Sequence, residues 1–121
     1  MRYVLAIGER AYSSWSLRGW LMFARFGLPV EVVVAPMYTD GFAATLADFA
    51  PARLVPALRI EEEGRPHRVI WETLAIGEAL AERHPDRGFW PADPDLRAMA
   101  RSLAAEMHAG FTALRSHCPM N

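Results

Sequence analysis

The chain has 121 residues, of which 52% are hydrophobic and 22% are charged, and its formal net charge is −1. This composition is typical of a globular protein rather than a disordered one, and the length is sufficient for an ordinary core. The near-neutral charge, without a basic run, gives no electrostatic reason to expect a nucleic-acid or membrane-surface partner. No apolar run is long enough to span a bilayer. The one cysteine, Cys118, fits a reducing compartment, so we expect a cytoplasmic location.

The first third of the chain predicts a strand, a helix and a second strand. Residues 3–7 form a short apolar run that is typical of a buried strand. Apolar residues at helical spacing predict a helix over 15–26, and Gly27 fits the left-handed position after it. The β-branched run 30–34 predicts a second strand. A strand, helix and strand of this length imply a parallel pair.

The middle of the chain predicts a hairpin between two helices. Residues 42–49 fit a short helix. Two short strands, 57–60 and 68–71, are separated by a polar turn with glycine and proline, which indicates an antiparallel hairpin. A helix over 72–84 follows. The order βαβ, then α, then ββα is that of an α/β thioredoxin-like domain.

The last part of the chain predicts a linker and one long amphipathic helix. The proline-rich stretch 85–93 is typical of a linker, with Asp93 as a candidate N-cap. Beyond it, six large apolar residues fall three or four apart, which predicts a single helix to the end of the chain. These residues are Leu96, Met99, Leu103, Met107, Phe111 and Leu114.

Two serines at the start of the first helix are candidates for thiol chemistry. Ser13 and Ser16 have the spacing of the paired cysteines in a thioredoxin active turn, but they are hydroxyls and cannot exchange disulfides. A serine hydroxyl can instead donate a hydrogen bond to a thiolate supplied by a ligand, helped by the dipole at the helix start. The alternative is an ordinary serine N-cap.

Two further segments could bind the rest of a small anionic peptide. We expect the Val55–Pro56 bond to be cis, which would leave the Val55 backbone free to pair with an extended ligand; the alternative is a proline that only begins a strand. Glu72 could pair with an ammonium group. Thr73 and the helix start beside it could hold a carboxylate, unless both residues only cap the helix. Arg53 could bind a second carboxylate.

The remaining candidates favour structural roles. The four histidines, at 67, 84, 108 and 117, show no metal-ligand spacing and are interpreted as surface residues, so no metal site is predicted. Tyr12 and Trp15 are interpreted as packing residues.

Three ordered motifs resemble those of the glutathione S-transferase family. The segment Ser-Ser-Trp-Ser-Leu-Arg at 13–18 resembles the Ser-Ser-Cys-x-x-Arg segment of zeta-class members. Residues 51–56 resemble the Pro-x-Lys-x-Val-Pro stretch of that class, and 71–76 resemble its Glu-Ser-x-Ala-Ile segment. The Trp-Pro linker at 90–94 and the segment 105–111 look like a bacterial serine-type subgroup.

The resemblance implies roles for particular residues. Ser13 matches the serine that stabilises the thiolate of glutathione, and Ser14 is its neighbour and substitute. Arg18 matches the arginine that follows this motif. The backbone of Val55 matches the group that pairs with the cysteinyl unit.

The remaining matches concern the rest of glutathione. Glu72 and Thr73 match the pair that holds its γ-glutamyl end. Arg53 and Pro56 complete the expected glutathione-binding set.

The resemblance also implies a domain organisation and an activity. Residues 1–84 correspond to the glutathione-binding domain, 85–93 to a linker and 94–121 to the first helix of a truncated all-helical domain. The expected function is a glutathione transferase that activates the thiol for attack on an unknown hydrophobic electrophile, with a maleylacetoacetate isomerase-like reaction as one form. Glutathione is the expected co-substrate, and a homodimer is the expected assembly.

Departures from the family pattern leave a second function open. Trp15 replaces the family's cysteine, which bears on isomerase chemistry, whereas Thr73 replaces serine and keeps the hydroxyl. Family members continue into further helices, and the last helix here presents an apolar stripe with too little chain left to cover both of its sides. The chain is therefore interpreted as a fragment of a longer protein. The alternative is a non-catalytic binding module that lacks a complete electrophile site. A glutaredoxin-type redox protein is disfavoured because no cysteine lies near the helix start.

Overall fold

A four-stranded sheet organises residues 1–118, the part of the chain that the computed structural model describes. The strands are β1 (Arg2–Ile7), β2 (Glu31–Val34), β3 (Ala57–Glu61) and β4 (Arg68–Trp71), and their order in the sheet is β2–β1–β3–β4. β1 is parallel to β2 and antiparallel to β3, and β3 and β4 form an antiparallel hairpin. The predicted parallel pair and the predicted hairpin are both confirmed.

Five helices accompany the sheet, and the thioredoxin-like order is confirmed. They are α1 (Ser14–Phe26), α2 (Asp40–Leu46), α3 (Thr73–Arg83), α4 (Pro94–Ala109) and α5 (Thr112–His117). Short 3₁₀ turns extend α2 over Ala47–Phe49 and follow α3 at Pro85–Arg87. Within residues 1–118, no helix combines the length and apolar character needed to cross a bilayer.

The sheet is buried on both faces because the side chains of β1 alternate between two apolar clusters. Tyr3, Leu5 and Ile7 pack with residues of α1 and α3 on one face. Val4 and Ala6 pack on the other face with Leu46, Phe49 and their neighbours. A strand buried on both faces reads as a continuous apolar run, as the sequence of β1 does.

Local chemistry sets two of the helix ends as predicted. Gly27 ends α1 in the left-handed conformation, with φ 67°, and its N–H donates to the carbonyl of Phe23. Asp93 caps α4, because its carboxylate accepts from the N–H groups of Asp95 and Leu96 at 3.0 and 2.9 Å.

The predicted single helix at the end of the chain is two helices, α4 and α5. Gly110 is extended, and Phe111 has a left-handed backbone with φ 62°. A Cβ at position 110 would lie 2.9 Å from the carbonyl oxygen of Glu106, so a residue other than glycine would force this turn to shift. The apolar spacing continues across the break, which is why it predicted one helix. Residues 119–121 lie outside the described part.

A close contact joins α1 to the loop that precedes β3. Gly19 is buried, and a Cβ built on it would lie 2.9 Å from two ring atoms of Pro56. This contact fixes the distance between the start of α1 and the Val55–Pro56 segment.

We therefore expect Gly19→Ala to destabilise the fold although alanine is the better helix former. The helix preference gains about 1 kcal/mol, but forcing a methyl group against the Pro56 ring costs about 1–3 kcal/mol. Gly77→Ala in α3 is the matched control, because its new Cβ meets only the flexible Met22 side chain, at 3.2 Å. Urea denaturation measures both free energies of unfolding. Equal stabilisation by the two substitutions would contradict the contact.

Candidate functional site

A cavity of about 450 Å³ lies where the loop before β3 meets the start of α3. All five residues predicted to bind the ligand line it, namely Arg53, Val55, Pro56, Glu72 and Thr73. Trp15 and His108 also line this cavity, which we call the main cavity. The structure therefore brings together residues from four parts of the chain: α1, the loop before β3, the start of α3 and α4.

The loop before β3 presents backbone groups to the main cavity. The Val55–Pro56 peptide bond is cis, as predicted, and Ala50–Pro51 is a second cis bond that was not predicted. Within residues 1–118, neither the N–H nor the C=O group of Val55 has a hydrogen-bond partner. Both groups can therefore pair with an extended peptide.

The junction between β4 and α3 holds a strained residue. Glu72 has φ 76° and ψ 128°, a backbone conformation that residues other than glycine rarely adopt. Such a backbone costs about 1–3 kcal/mol and is concentrated at functional sites. The Glu72 side chain makes no capping hydrogen bond to α3, so its carboxylate is available to other partners.

His108 contacts both residues of this junction from α4. Its Nε2 lies 3.0 Å from Oε2 of Glu72, and its Nδ1 lies 3.3 Å from Oγ1 of Thr73. The interpretation of His108 as a surface residue is wrong, because its side chain is only 22% exposed. His84 is also not a simple surface residue, since its Nε2 lies 2.7 Å from the Tyr3 hydroxyl.

Trp15 packs, as predicted, but it packs at the edge of the main cavity. Guanidinium groups of Arg18 and Arg115 lie 4.1 and 4.5 Å from its ring centre, and His108 contacts it edge-on at 5.0 Å. Burial, and secondarily the neighbouring Arg115, hold the pKa of Arg18 below its ordinary value. Two cations therefore lie close together beside the start of α1.

Ser13 and Ser16 do not line the main cavity. The Ser13 hydroxyl accepts from the Ser16 N–H at 3.3 Å, which makes Ser13 the N-cap of α1. It also donates to the Ser16 hydroxyl at 2.6 Å, which in turn accepts from the Gly8 N–H at 3.0 Å. Both serines line a separate cavity of about 130 Å³. The structural alternative considered for Ser13, an N-cap, is thus the arrangement observed.

Ser14 is the first residue of α1 and is half-buried. Within residues 1–118, the N–H groups of Ser14 and Trp15 have no hydrogen-bond partner. Unpaired N–H groups at a helix start favour an anion. The same described residues contain no group of three or more His, Cys, Asp or Glu side chains placed to hold a metal ion.

This arrangement defines a thioredoxin-like fold with a cavity at one edge of its sheet, and comparisons with known proteins identify its family. Residues 12–83 match the family model of the glutathione S-transferase N-terminal domain. The chain belongs to the glutathione S-transferase family, as its motifs predicted.

Individual relatives agree with this assignment. The chain is 30% identical over 107 residues to a probable maleylacetoacetate isomerase of Caenorhabditis elegans, an alignment that covers 88% of this chain and 47% of the relative. It is 30% identical over 110 residues to the maleylacetoacetate isomerase of Rattus norvegicus, covering 88% and 48%. The chain thus spans about half the length of these curated relatives.

A solved structure extends the comparison to three dimensions. The maleylacetoacetate isomerase from Anaeromyxobacter dehalogenans 2CP-1, with glutathione bound in its active site, has a TM-score of 0.69 and 30% identity to this chain. The match covers 98% of this chain and 59% of that one. A glutathione transferase Omega 1C from Trametes versicolor, with 18% identity and a TM-score of 0.77, supports the fold.

The strain at Glu72 can be measured by comparing two substitutions. Glu72→Ala and Glu72→Gly both remove the carboxylate and its contact with His108, but only glycine adopts the local backbone without strain. We expect the glycine variant to be the more stable of the two by about 1 kcal/mol. Guanidinium denaturation gives the two free energies. An alanine variant at least as stable as the glycine variant would show that residue 72 is unstrained.

Proposed function

We propose that this chain forms the glutathione-binding part of a glutathione transferase that activates the thiol for attack on an electrophile. The observation that carries this proposal is the main cavity, where a free Val55 backbone and the Glu72–Thr73 pair face the same space. The glutathione bound in the Anaeromyxobacter relative supports it.

The glutamyl end of glutathione binds at the start of α3. The Glu72 carboxylate pairs with the ammonium group, since its side chain is 55% exposed and makes no capping bond. The Thr73 hydroxyl and the free N–H groups in the first turn of this 11-residue helix bind the carboxylate. A carboxylate there gains both charge-assisted hydrogen bonds and the helix dipole.

The middle and the far end of the tripeptide lie along the loop before β3. The cysteinyl unit pairs with the N–H and C=O groups of Val55, as a short added strand would. Pro56 holds this backbone in place through its contact with Gly19. Arg53, which lines the same cavity with an exposed side chain, binds the glycyl carboxylate.

The thiol binds at the start of α1, where the environment is positive. The unpaired N–H groups of Ser14 and Trp15 and the cations of Arg18 and Arg115 all favour a thiolate over a thiol. Ser13 donates its proton to Ser16 in the free protein, so its hydroxyl must rotate before it can serve the sulfur. Ser14, the next residue, carries the second hydroxyl that can serve the sulfur.

The finer parts of the proposal concern the whole protein. Maleylacetoacetate isomerisation, the activity for which the curated relatives are named, is its more specific form.

A homodimer through α4 and α5 is expected because their apolar stripe is largely exposed, including Leu103 at 59% and Leu114 at 60%. Light scattering measures that assembly.

A cytoplasmic location stays a prediction that cell fractionation can check.

Thr73→Val tests the glutamyl subsite. Removing the hydroxyl leaves a ligand carboxylate short of a donor, so glutathione affinity should fall by roughly 1–2 kcal/mol, or about 5- to 30-fold. Thr45→Val in α2 is the matched control and should leave affinity unchanged. Isothermal calorimetry measures both variants. The loss should vanish for a ligand that lacks the γ-glutamyl α-carboxylate, and an equal loss for both ligands would reject the assigned contact.

Ser13→Ala tests the activation of the thiol. If the Ser13 hydroxyl rotates onto the sulfur, its loss should raise the pKa of bound glutathione by about one unit, which corresponds to about 1.4 kcal/mol. Titration of thiolate absorbance measures this pKa, and Ser14→Ala is the companion variant. A rise only in Ser14→Ala would transfer the role to Ser14. No rise in either variant would leave the backbone and arginines as the stabilising groups.

A further inference from the structure

Within residues 1–118, only the side chain of His108 lies within hydrogen-bonding distance of both Glu72 and Thr73, the two proposed anchors of the glutamyl end. Its two ring nitrogens lie 3.0 Å from Glu72 Oε2 and 3.3 Å from Thr73 Oγ1. The imidazole comes from α4, and its ring packs edge-on against Trp15. Because both nitrogens are engaged, the protonation of this ring determines the direction of the hydrogen bond to Thr73.

The neutral ring has one arrangement that satisfies both contacts. An ionised Glu72 carboxylate only accepts, so Nε2 must carry the proton that faces it. Nδ1 is then an unprotonated acceptor, and the Thr73 hydroxyl has to donate its single proton to it. In this state Thr73 has no proton left for a ligand carboxylate.

The protonated ring reverses the second contact. Both nitrogens then donate, Nε2 to Glu72 and Nδ1 to Thr73. Thr73 Oγ1 becomes an acceptor from His108, and its own proton is free to donate to the ligand. The contact with Glu72 Oε2 persists, which leaves the other carboxylate oxygen for the ligand ammonium.

We propose that His108 is a positioning residue of the glutamyl subsite, where binding of the glutathione α-carboxylate is coupled to uptake of one proton by the imidazole. The proposal rests on the proposed function and assigns its proton balance: the proton comes from solvent, and Nδ1 receives it. Since the bound state holds more protons than the free state, affinity rises as pH falls, by up to about tenfold per pH unit.

The charges around His108 act in both directions. Glu72, at the start of α3, stabilises the cationic ring, and the arriving ligand carboxylate adds to this. Arg115 on α5 donates to the His108 carbonyl at 3.1 Å and opposes the cation. Arg18 on α1, across Trp15, and Arg53 in the loop before β3 oppose it as well. The ligand also brings both signs of charge: its ammonium group on Glu72 opposes the cationic ring, whereas its carboxylate on Thr73 favours it. The proton uptake therefore follows from the hydrogen bond that Thr73 must donate to the ligand, not from net charge.

The experiment is calorimetry with S-methylglutathione, whose blocked sulfur cannot release a proton. Titrations in buffers of different ionisation enthalpy at one pH give the number of protons taken up per ligand bound. We expect wild-type binding to be accompanied by the uptake of up to one proton per site. The same ligand without its γ-glutamyl α-carboxylate should bind without proton uptake.

His108→Gln is the decisive variant. A glutamine amide can donate to Glu72 and accept from Thr73, so it reproduces the neutral ring but cannot be protonated. We expect this variant to bind the ligand more weakly, without proton uptake, and with an affinity that depends less on pH than that of the wild type. His67→Gln, at an exposed position, is the matched control and should behave as wild type.

The possible results distinguish a failure of the role assigned to His108 from a failure of the proposed glutathione site. Binding of S-methylglutathione without proton uptake, or with uptake that persists in His108→Gln, overturns the role of His108 and leaves the glutathione site intact. Uptake that persists with the decarboxylated ligand also overturns it, and that result needs no variant. A complete absence of binding heat, together with unchanged spectra on ligand addition, would contradict the glutathione site itself.

Discussion

The site depends on the backbone turn at Glu72, where β4 passes into α3. With φ 76°, this residue holds a conformation that a side chain normally disfavours. The turn places a carboxylate and the free N–H groups of a helix start side by side, which is the pair of charges that an α-amino acid end requires. The contact between Gly19 and Pro56 then holds the segment around Val55, the second part of the proposed site, at a fixed distance from α1. Strain at one residue and close packing at another thus shape the proposed binding edge.

Much of the fold follows from local chemistry that the sequence displays. The apolar run of β1, the glycine after α1 and the aspartate before α4 each have a local physical reason that does not depend on distant partners. The cavity residues at 53–56 and 72–73 were also predictable, because strand ends and helix starts in this fold meet at one edge. The order of the motifs carried this information, since each motif alone was compatible with ordinary capping.

What the sequence did not reveal depends on tertiary contacts. His108 lies 35 residues from Thr73 in the chain, and no spacing rule relates it to Glu72. The flanking of Trp15 by Arg18 and Arg115 joins α1 to α5 in the same way. The hydroxyl of Ser13 donates to Ser16. The sequence alone does not show whether this hydroxyl bonds to Ser16 or is free for a ligand sulfur. The break at Gly110 was locally visible but was overridden by apolar spacing that continues across it.

The most direct test of the account is a crystal structure of the protein grown with S-methylglutathione. We expect an extended peptide in the main cavity, with its γ-glutamyl end on Glu72 and Thr73, its backbone paired with Val55, and its sulfur at the start of α1. A ligand bound with the opposite chain direction, or seated in the smaller cavity beside Ser13, would contradict it.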